Sequence, residues 1–153
     1  MEIPVTSEWC ALCEELTSSD GFVMNEPTAE YSGSPFYRDN AILRQSFEFA
    51  VAILKYSDRL GNERRWLLNQ IQRSGCSIGA NVKEAQNAES LKDFIHKMKI
   101  ALKEADETEY WYHLLAASNE KGSDPQLVER LQSILRILNR IISTAKKRSE
   151  TIR

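Results

Sequence analysis

Residues 74–115, SGCSIGANVKEAQNAESLKDFIHKMKIALKEADETEYWYHLL, leave the chain little choice of fold. They read as the end of one helix, a break at Gln86-Asn87-Ala88, and a long helix capped by Asn87 or Ser90. Along that helix Leu91, Phe94, Ile95, Met98, Ala101, Leu102, Ala105, Thr108, Tyr112 and Leu115 recur at spacings of three and four. Such a stripe must be buried against other helices. Ile100, Trp111 and Leu114 fall off it, which marks them as candidates for a subunit interface.

The neighbouring segments supply partners. A first helix is expected from a cap at Asp39 or Asn40 to a stop at Gly61-Asn62. It carries one stripe of Leu43, Phe47, Ala50 and Leu54, and a second of Ile42, Phe49, Ile53 and Tyr56. An apolar arc that wide suggests burial on two sides, by its own bundle and by another subunit, and places Phe49 and Tyr56 with Trp66 among the interface candidates. A second helix begins around Glu63 and turns Leu67, Leu68, Ile71, Ile78, Val82 and Ala85 inward. Gly75, Cys76, Gly79 and Ala80 interrupt its propensity, at about 1 kcal/mol per Gly, which close approach of a neighbour or a local distortion offsets. After Asn119-Glu120-Lys121-Gly122-Ser123, Ser123 or Asp124 caps a fourth helix with Pro125 in its first position. Leu127, Leu131, Ile134, Leu135, Leu138, Ile141, Ile142 and Ala145 form its apolar face, and Lys146-Lys147-Arg148 complement its C-terminus. Four helices with short connections give an all-α, up-and-down antiparallel four-helix bundle over residues 39–149, followed by a tail at 150–153.

Residues 1–38 differ in character. Residues 1–37 hold seven acids and no Lys or Arg, whereas residues 38–153 hold 15 acids against 20 bases. The segment reads as a flexible, largely irregular acidic arm. One short helix from Glu8 to Leu16 is expected to present Trp9, Leu12, Cys13 and Leu16 on one face, before a linker of turn formers ending near Pro35. An acidic arm on a basic body hints at polyanion binding, or at an arm that lies on the body; a solvated tail is the plainer reading. Three cysteines, no signal-peptide pattern and no apolar run of spanning length lead to the expectation of a cytoplasmic protein without membrane contact.

No residue pattern points to catalysis or to a cofactor. There is no glycine-rich phosphate loop, nucleophile elbow or two-histidine metal motif. Asp93-x-x-His96 stands without a partner, so no metal site is expected. Cys10-x-x-Cys13 lacks the two further ligands a structural zinc requires. Cys76 is expected to pack between helices. The cations remain. Lys92, His96, Lys99 and Lys103 make one ridge on the third helix, ending where Asp106 and Glu107 reverse the sign. Arg64, Arg65, Arg73 and Lys83 come from the second helix, and Arg136, Arg140, Lys146, Lys147 and Arg148 from the fourth. On one connected surface these would bind phosphates by releasing counterions; as a solvated face they would pair with Glu one turn away. Arg73 and Asn81 are expected to hydrogen-bond Glu84 or Glu107 between helices.

The run Arg73-Ser74-Gly75-Cys76-Ser77-Ile78-Gly79-Ala80-Asn81-Val82-Lys83-Glu84-Ala85 resembles the R-R-x-x-x-S-I-x-x-N-I-x-E-(G/A) signature of the bacterial four-helix bundle proteins encoded in intervening sequences of 23S ribosomal RNA genes. Residues 100–111, IALKEADETEYW, match a common variant of that family's third-helix motif. The resemblance spans residues from about 40 to 145 and extends to the accessory variability protein of diversity-generating retroelements. It implies a homo-oligomer, pentameric where the architecture is known, with a positively charged surface. In the retroelement branch it implies binding to RNA or DNA and to a reverse transcriptase. Gln72 stands where one of the paired arginines is common, Ala85 where Gly is frequent, and the acidic arm is no family feature. The expectation is therefore a non-enzymatic homo-oligomeric scaffold for nucleic acid or a nucleic-acid-processing protein. The alternative is a structural, protein-interaction oligomer with no nucleic-acid role.

Overall fold

The computed structural model describes residues 40–62, 64–118 and 122–151. The acidic arm with its short helix, Cys10, Cys13, Asp39, Glu63 and Asn119-Glu120-Lys121 lie outside the described residues. Four helices follow in order: α1 (Ala41–Leu60), α2 (Arg65–Ala85), α3 (Leu91–Ser118) and α4 (Pro125–Thr151). Each packs against its sequence neighbour, and α1 also packs against α4, which closes an antiparallel ring. The α2–α3 seam is the most extensive and the α1–α4 seam the least.

Local chemistry sets the helix ends. Asn40 has an extended backbone and its side chain accepts from the Leu43 amide at 3.2 Å, which caps α1. Its amide nitrogen also donates to Gln86 Oε1 at 2.8 Å, tying the start of α1 to the end of α2. Gly61, at φ +66°, ends α1 in a conformation that costs a glycine little. Ser90 accepts from Asp93 N at 3.1 Å, and Asp93 accepts in turn from the Glu89 amide, so two otherwise orphaned donors are satisfied at the head of α3. Asp124 accepts from Leu127 N at 3.1 Å, ahead of Pro125 in the first position of α4. That helix runs to Thr151, beyond the expected boundary at 149.

The core is one continuous cluster from all four helices, including Phe49, Ile53, Ile71, Ile78, Phe94, Met98, Ile134 and Leu138. On α1 the two expected stripes behave differently. Ile42, Phe49, Ile53 and Tyr56 join Leu43 in the core, whereas Leu54 is 46% exposed and Phe47 and Ala50 are half-buried. Packing by α2 and α4 covers only the arc between them, and the rest of the first stripe lies beyond it or at its edge, on the outer side of α1. The small residues of α2 are explained by close approach. A Cβ on Gly75 would overlap Ile53 Cδ1, and one on Gly79 would touch the Ser46 backbone at 3.5 Å.

Polar groups fix the register within this apolar frame. Thr108 Oγ1 lies 2.9 Å from Ser74 Oγ across the α2–α3 seam, and Ser74 donates to Gln70 O. At the end of the bundle that holds Leu60 and Asp124, the Tyr56 hydroxyl donates to Gly122 O at 2.6 Å. The Tyr112 hydroxyl there accepts from the Asp124 amide, also at 2.6 Å. The two rings lie 6.1 Å apart, so a tyrosine pair clamps the turn between α3 and α4.

Candidate functional site

Antiparallel packing sorts the charged and aromatic side chains between two ends and the sides between them. One end holds the start of α1, the end of α2, the start of α3 and the end of α4. The other holds the α3–α4 turn. A 21-residue helix such as α2 separates the two ends by about 30 Å.

The expected cations divide accordingly. Lys83, Lys92, Lys146, Lys147 and Arg148 belong to the end where α1 starts, and all but Lys83, which is half-buried, are exposed. Burial pushes the Lys83 ammonium below its ordinary range. Arg64 and Arg65 belong to the opposite end, where they brace backbone and turn: Arg64 donates to Ser118 O at 2.9 Å and Arg65 to Asn62 Oδ1 at 3.1 Å. Arg64 itself has a left-handed backbone, φ 55°. Arg73, Lys99, Lys103, Arg136 and Arg140 lie along the sides, on three helices whose outward directions differ. The twelve cations thus do not form one surface. Lys92, His96, Lys99 and Lys103 do form the expected ridge: all four are exposed, at matching positions along α3.

Lys97, which belongs to no pattern in the sequence, pairs with Glu84 across the α2–α3 seam at 2.5 Å. The hydrogen bond to Glu84 holds the Lys97 ammonium above its ordinary range. The expected interhelical bonds of Arg73 and Asn81 to Glu84 or Glu107 take other forms. Asn81 Nδ2 returns to Ser77 O of its own helix at 2.9 Å, and Glu107 accepts from Trp111 Nε1 at 3.0 Å. The groups find nearer partners: Asn81 and Glu107 bond within their own helices, one turn away, and Glu84 is taken by Lys97 across the seam. Cys76 is half-buried, and burial raises its thiol pKa.

The interface candidates split as well. Phe49 and Tyr56 are 1% and 2% exposed inside their own bundle, so they are core residues, and their assignment to a subunit interface is corrected. The four others lie on the α2–α3 side. Trp66 is 59% exposed and meets the half-buried Trp111 edge-on at 6.4 Å. Tyr110, 61% exposed, stands edge-on to Trp111 at 4.9 Å. Leu114, also exposed, is one turn further along α3, and half-buried Ile100 is three turns back on the same face. Tyr110 was missed because it belongs to no stripe; its adjacency to an off-stripe Trp was the available signal.

Among the described residues no group of three or more His, Cys, Asp or Glu side chains is placed to hold a metal ion, and no helix is long and apolar enough to cross a membrane. What the surface offers is an exposed aromatic patch on the α2–α3 side and a cationic ridge along the first half of α3.

No curated protein shows significant similarity to the chain. Among solved structures it is similar to a protein of unknown function from the S23 ribosomal protein family of Bacteroides thetaiotaomicron. The two are 42% identical with a TM-score of 0.58, over 69% of this chain and 95% of that one. The family model of the 23S rRNA-intervening sequence protein matches residues 38–143, more than half of the chain and nearly all of the four helices. The chain therefore belongs to the 23S rRNA-intervening sequence protein family.

Proposed function

We propose that this chain is a non-enzymatic homo-oligomeric scaffold, five subunits by family resemblance, that binds nucleic acid or a nucleic-acid-processing protein. The supporting observation is the outer ridge of α3. Its first half presents Lys92, His96, Lys99 and Lys103, all exposed; its second presents Asp106 and Glu107, then the cluster of Tyr110, Trp111 and Leu114 with Trp66 beside it. Exposed, clustered aromatics are the side chains that anchor protein interfaces. Self-association through that half would leave the cationic half, repeated in every subunit, facing phosphates. Replacing Lys92, Lys99 and Lys103 together by Ala is expected to weaken binding of a short RNA. It should also flatten the dependence of log K on log salt, by roughly 0.7–0.9 for each phosphate that is no longer neutralised. Unchanged affinity and slope would contradict the reading.

The sign reversal along α3 favours a second reading. Here the basic half of one subunit faces the acidic half of the next, so the charges serve subunit alignment and no nucleic acid is involved. An oligomer that dissociates in high salt and shows no salt-dependent RNA affinity would support it.

A further inference from the structure

We infer that His96 makes the cationic ridge of α3 a proton-coupled phosphate site: a phosphodiester strand laid along the ridge is bound together with one proton, taken up by the His96 imidazole. This rests on the reading that the ridge binds nucleic acid, and it adds the regulation of that site by pH. Two observations carry it.

The first is placement. Lys92, His96, Lys99 and Lys103 share one exposed line on α3. His96 stands four residues after Lys92 and three before Lys99, the spacings at which helix side chains are neighbours. At 1.5 Å per residue the line is about 16 Å long. A strand that engages both flanking lysines therefore passes over His96, whether or not the imidazole is charged. Lysine ammonium groups and phosphodiesters keep their charges between pH 5 and 8, whereas an unperturbed imidazole changes its own at about pH 6.5. His96 is thus the titrating member of the ridge. As imidazolium, both its ring nitrogens donate; when neutral, one of them is only an acceptor.

The second is what surrounds it. Among the described residues His96 has no hydrogen-bond or ion-pair partner. Asp93, one turn back on α3, accepts from the Glu89 amide. On α2, Glu84 is engaged by Lys97, and Lys83 is half-buried. The charged groups that α4 brings to this end are Lys146, Lys147, Arg148 and Glu150, in its last turns. No carboxylate of the bundle holds the His96 proton, so the incoming phosphate is its counter-charge. His113 differs: it lies beyond Asp106 and Glu107 on the same helix and stands edge-on to the Tyr112 ring at 5.6 Å.

The sign follows from linkage. A phosphate beside the imidazole favours its protonated form in the complex, so binding takes up a proton. The gain in affinity is full at low pH and is lost as pH rises through the imidazole range. An opposite charge at contact distance favours the charged form by about tenfold or more, which corresponds to about five- to tenfold tighter binding at pH 6 than at pH 8.

The test titrates the full chain with a short, labelled single-stranded RNA at pH 6 and pH 8, each over a series of salt concentrations. Binding about five- to tenfold tighter at pH 6 is expected. So is a dependence of log K on log salt steeper there by about 0.7, the contribution of one further cation. His96→Gln should remove both differences and behave at either pH as the parent does at pH 8; the residue is exposed and Gln suits a helix, so the fold is kept. His96→Lys should bind at both pH values as the parent does at pH 6, and His113→Gln should leave the parent's pH dependence in place. Equal affinity and slope at the two pH values, or a difference that survives His96→Gln, overturns the inference and leaves the nucleic-acid reading standing. No RNA binding at either pH ends both. An RNA-free mass that changes with pH in the parent but not in His96→Gln would set the imidazolium against carboxylates of another subunit, and would overturn the inference as well.

Discussion

Gly75 and Gly79 lie one turn apart on α2, and their surroundings give them opposite roles. A methyl group at Gly75 would run into Ile53 Cδ1, with Phe49 Cε1 at 3.7 Å, in a buried seam. At Gly79 the nearest atoms stand at 3.5 Å, ordinary van der Waals distance. Helix propensity favours Ala over Gly by about 1 kcal/mol at either site, while overpacking a core costs about 1–3 kcal/mol. Gly75→Ala should therefore lower the midpoint of urea unfolding, and Gly79→Ala should raise it; two shifts of the same sign would contradict the close approach seen here. Tyr56 makes a second case. Burial, reinforced by Tyr112 and Asp124, raises its phenol pKa well above the ordinary 10. The folded state then holds a proton that the unfolded state releases, so stability is fully present below about pH 10 and falls as pH rises further. Tyr56→Phe should cost about 1–3 kcal/mol at neutral pH by orphaning Gly122 O, and should lose stability less steeply than the parent above pH 10. The small residues of α2 were legible in the sequence as a demand for close approach, but their partner, Ile53, was not. Long-range pairs such as Tyr56 with Gly122, or Lys97 with Glu84, depend on the register between helices, which no local pattern encodes.

At the scale of the element, most of the fold could be read beforehand, because helix starts and stops are written in local chemistry. Asn40, Gly61, Ser90, Asp124 and Pro125 all punctuate helices where their side chains or backbones suit them. Only the facing of α1 was misjudged. Its two apolar stripes are nearly equal in hydrophobicity, and the choice between them is made by where α2 and α4 pack. Asn40 serves both as the α1 cap and as the link to Gln86. Asn40→Ala should thus cost about 1–2 kcal/mol in chemical denaturation, the upper part of the range for a helix cap. Asn40→Asp keeps the cap but removes the donor to Gln86, and should fall between the parent and the Ala variant. A cost of Asn40→Asp equal to that of Asn40→Ala would mean that the Gln86 link, not the cap, carries the effect. The α3 ridge was legible too, since spacings of four, three and four place Lys92, His96, Lys99 and Lys103 in line on any helix. The wider cationic surface was not, because its members come from helices whose relative directions only the assembled bundle defines.

The outer ridge of α3 is polarised. Exposed Lys92, Lys99 and Lys103 occupy its first half, and exposed Tyr110 and Leu114, with Trp66 of α2 beside Trp111, lie towards the α3–α4 turn. This asymmetry is set by antiparallel topology acting on three separate sequence features: the Lys-rich start of α3, its aromatic end, and the start of α2. None of them alone implies a surface. An isolated bundle has no use for exposed Trp66 and Tyr110 beside a half-buried Trp111, whereas a bundle that packs against copies of itself buries them. The most direct test of such an assembly is the solution mass of the full chain by light scattering, at low salt, with and without a short RNA, beside a variant carrying Trp66→Ala and Tyr110→Ala. Both substituted side chains are mostly exposed, so the helical content of the variant should be unchanged. The parent is expected at a mass near five chains, rising when RNA is added, and the variant as a smaller species. A monomeric parent whose mass ignores RNA would contradict the proposal, and would leave the bundle without the assembly.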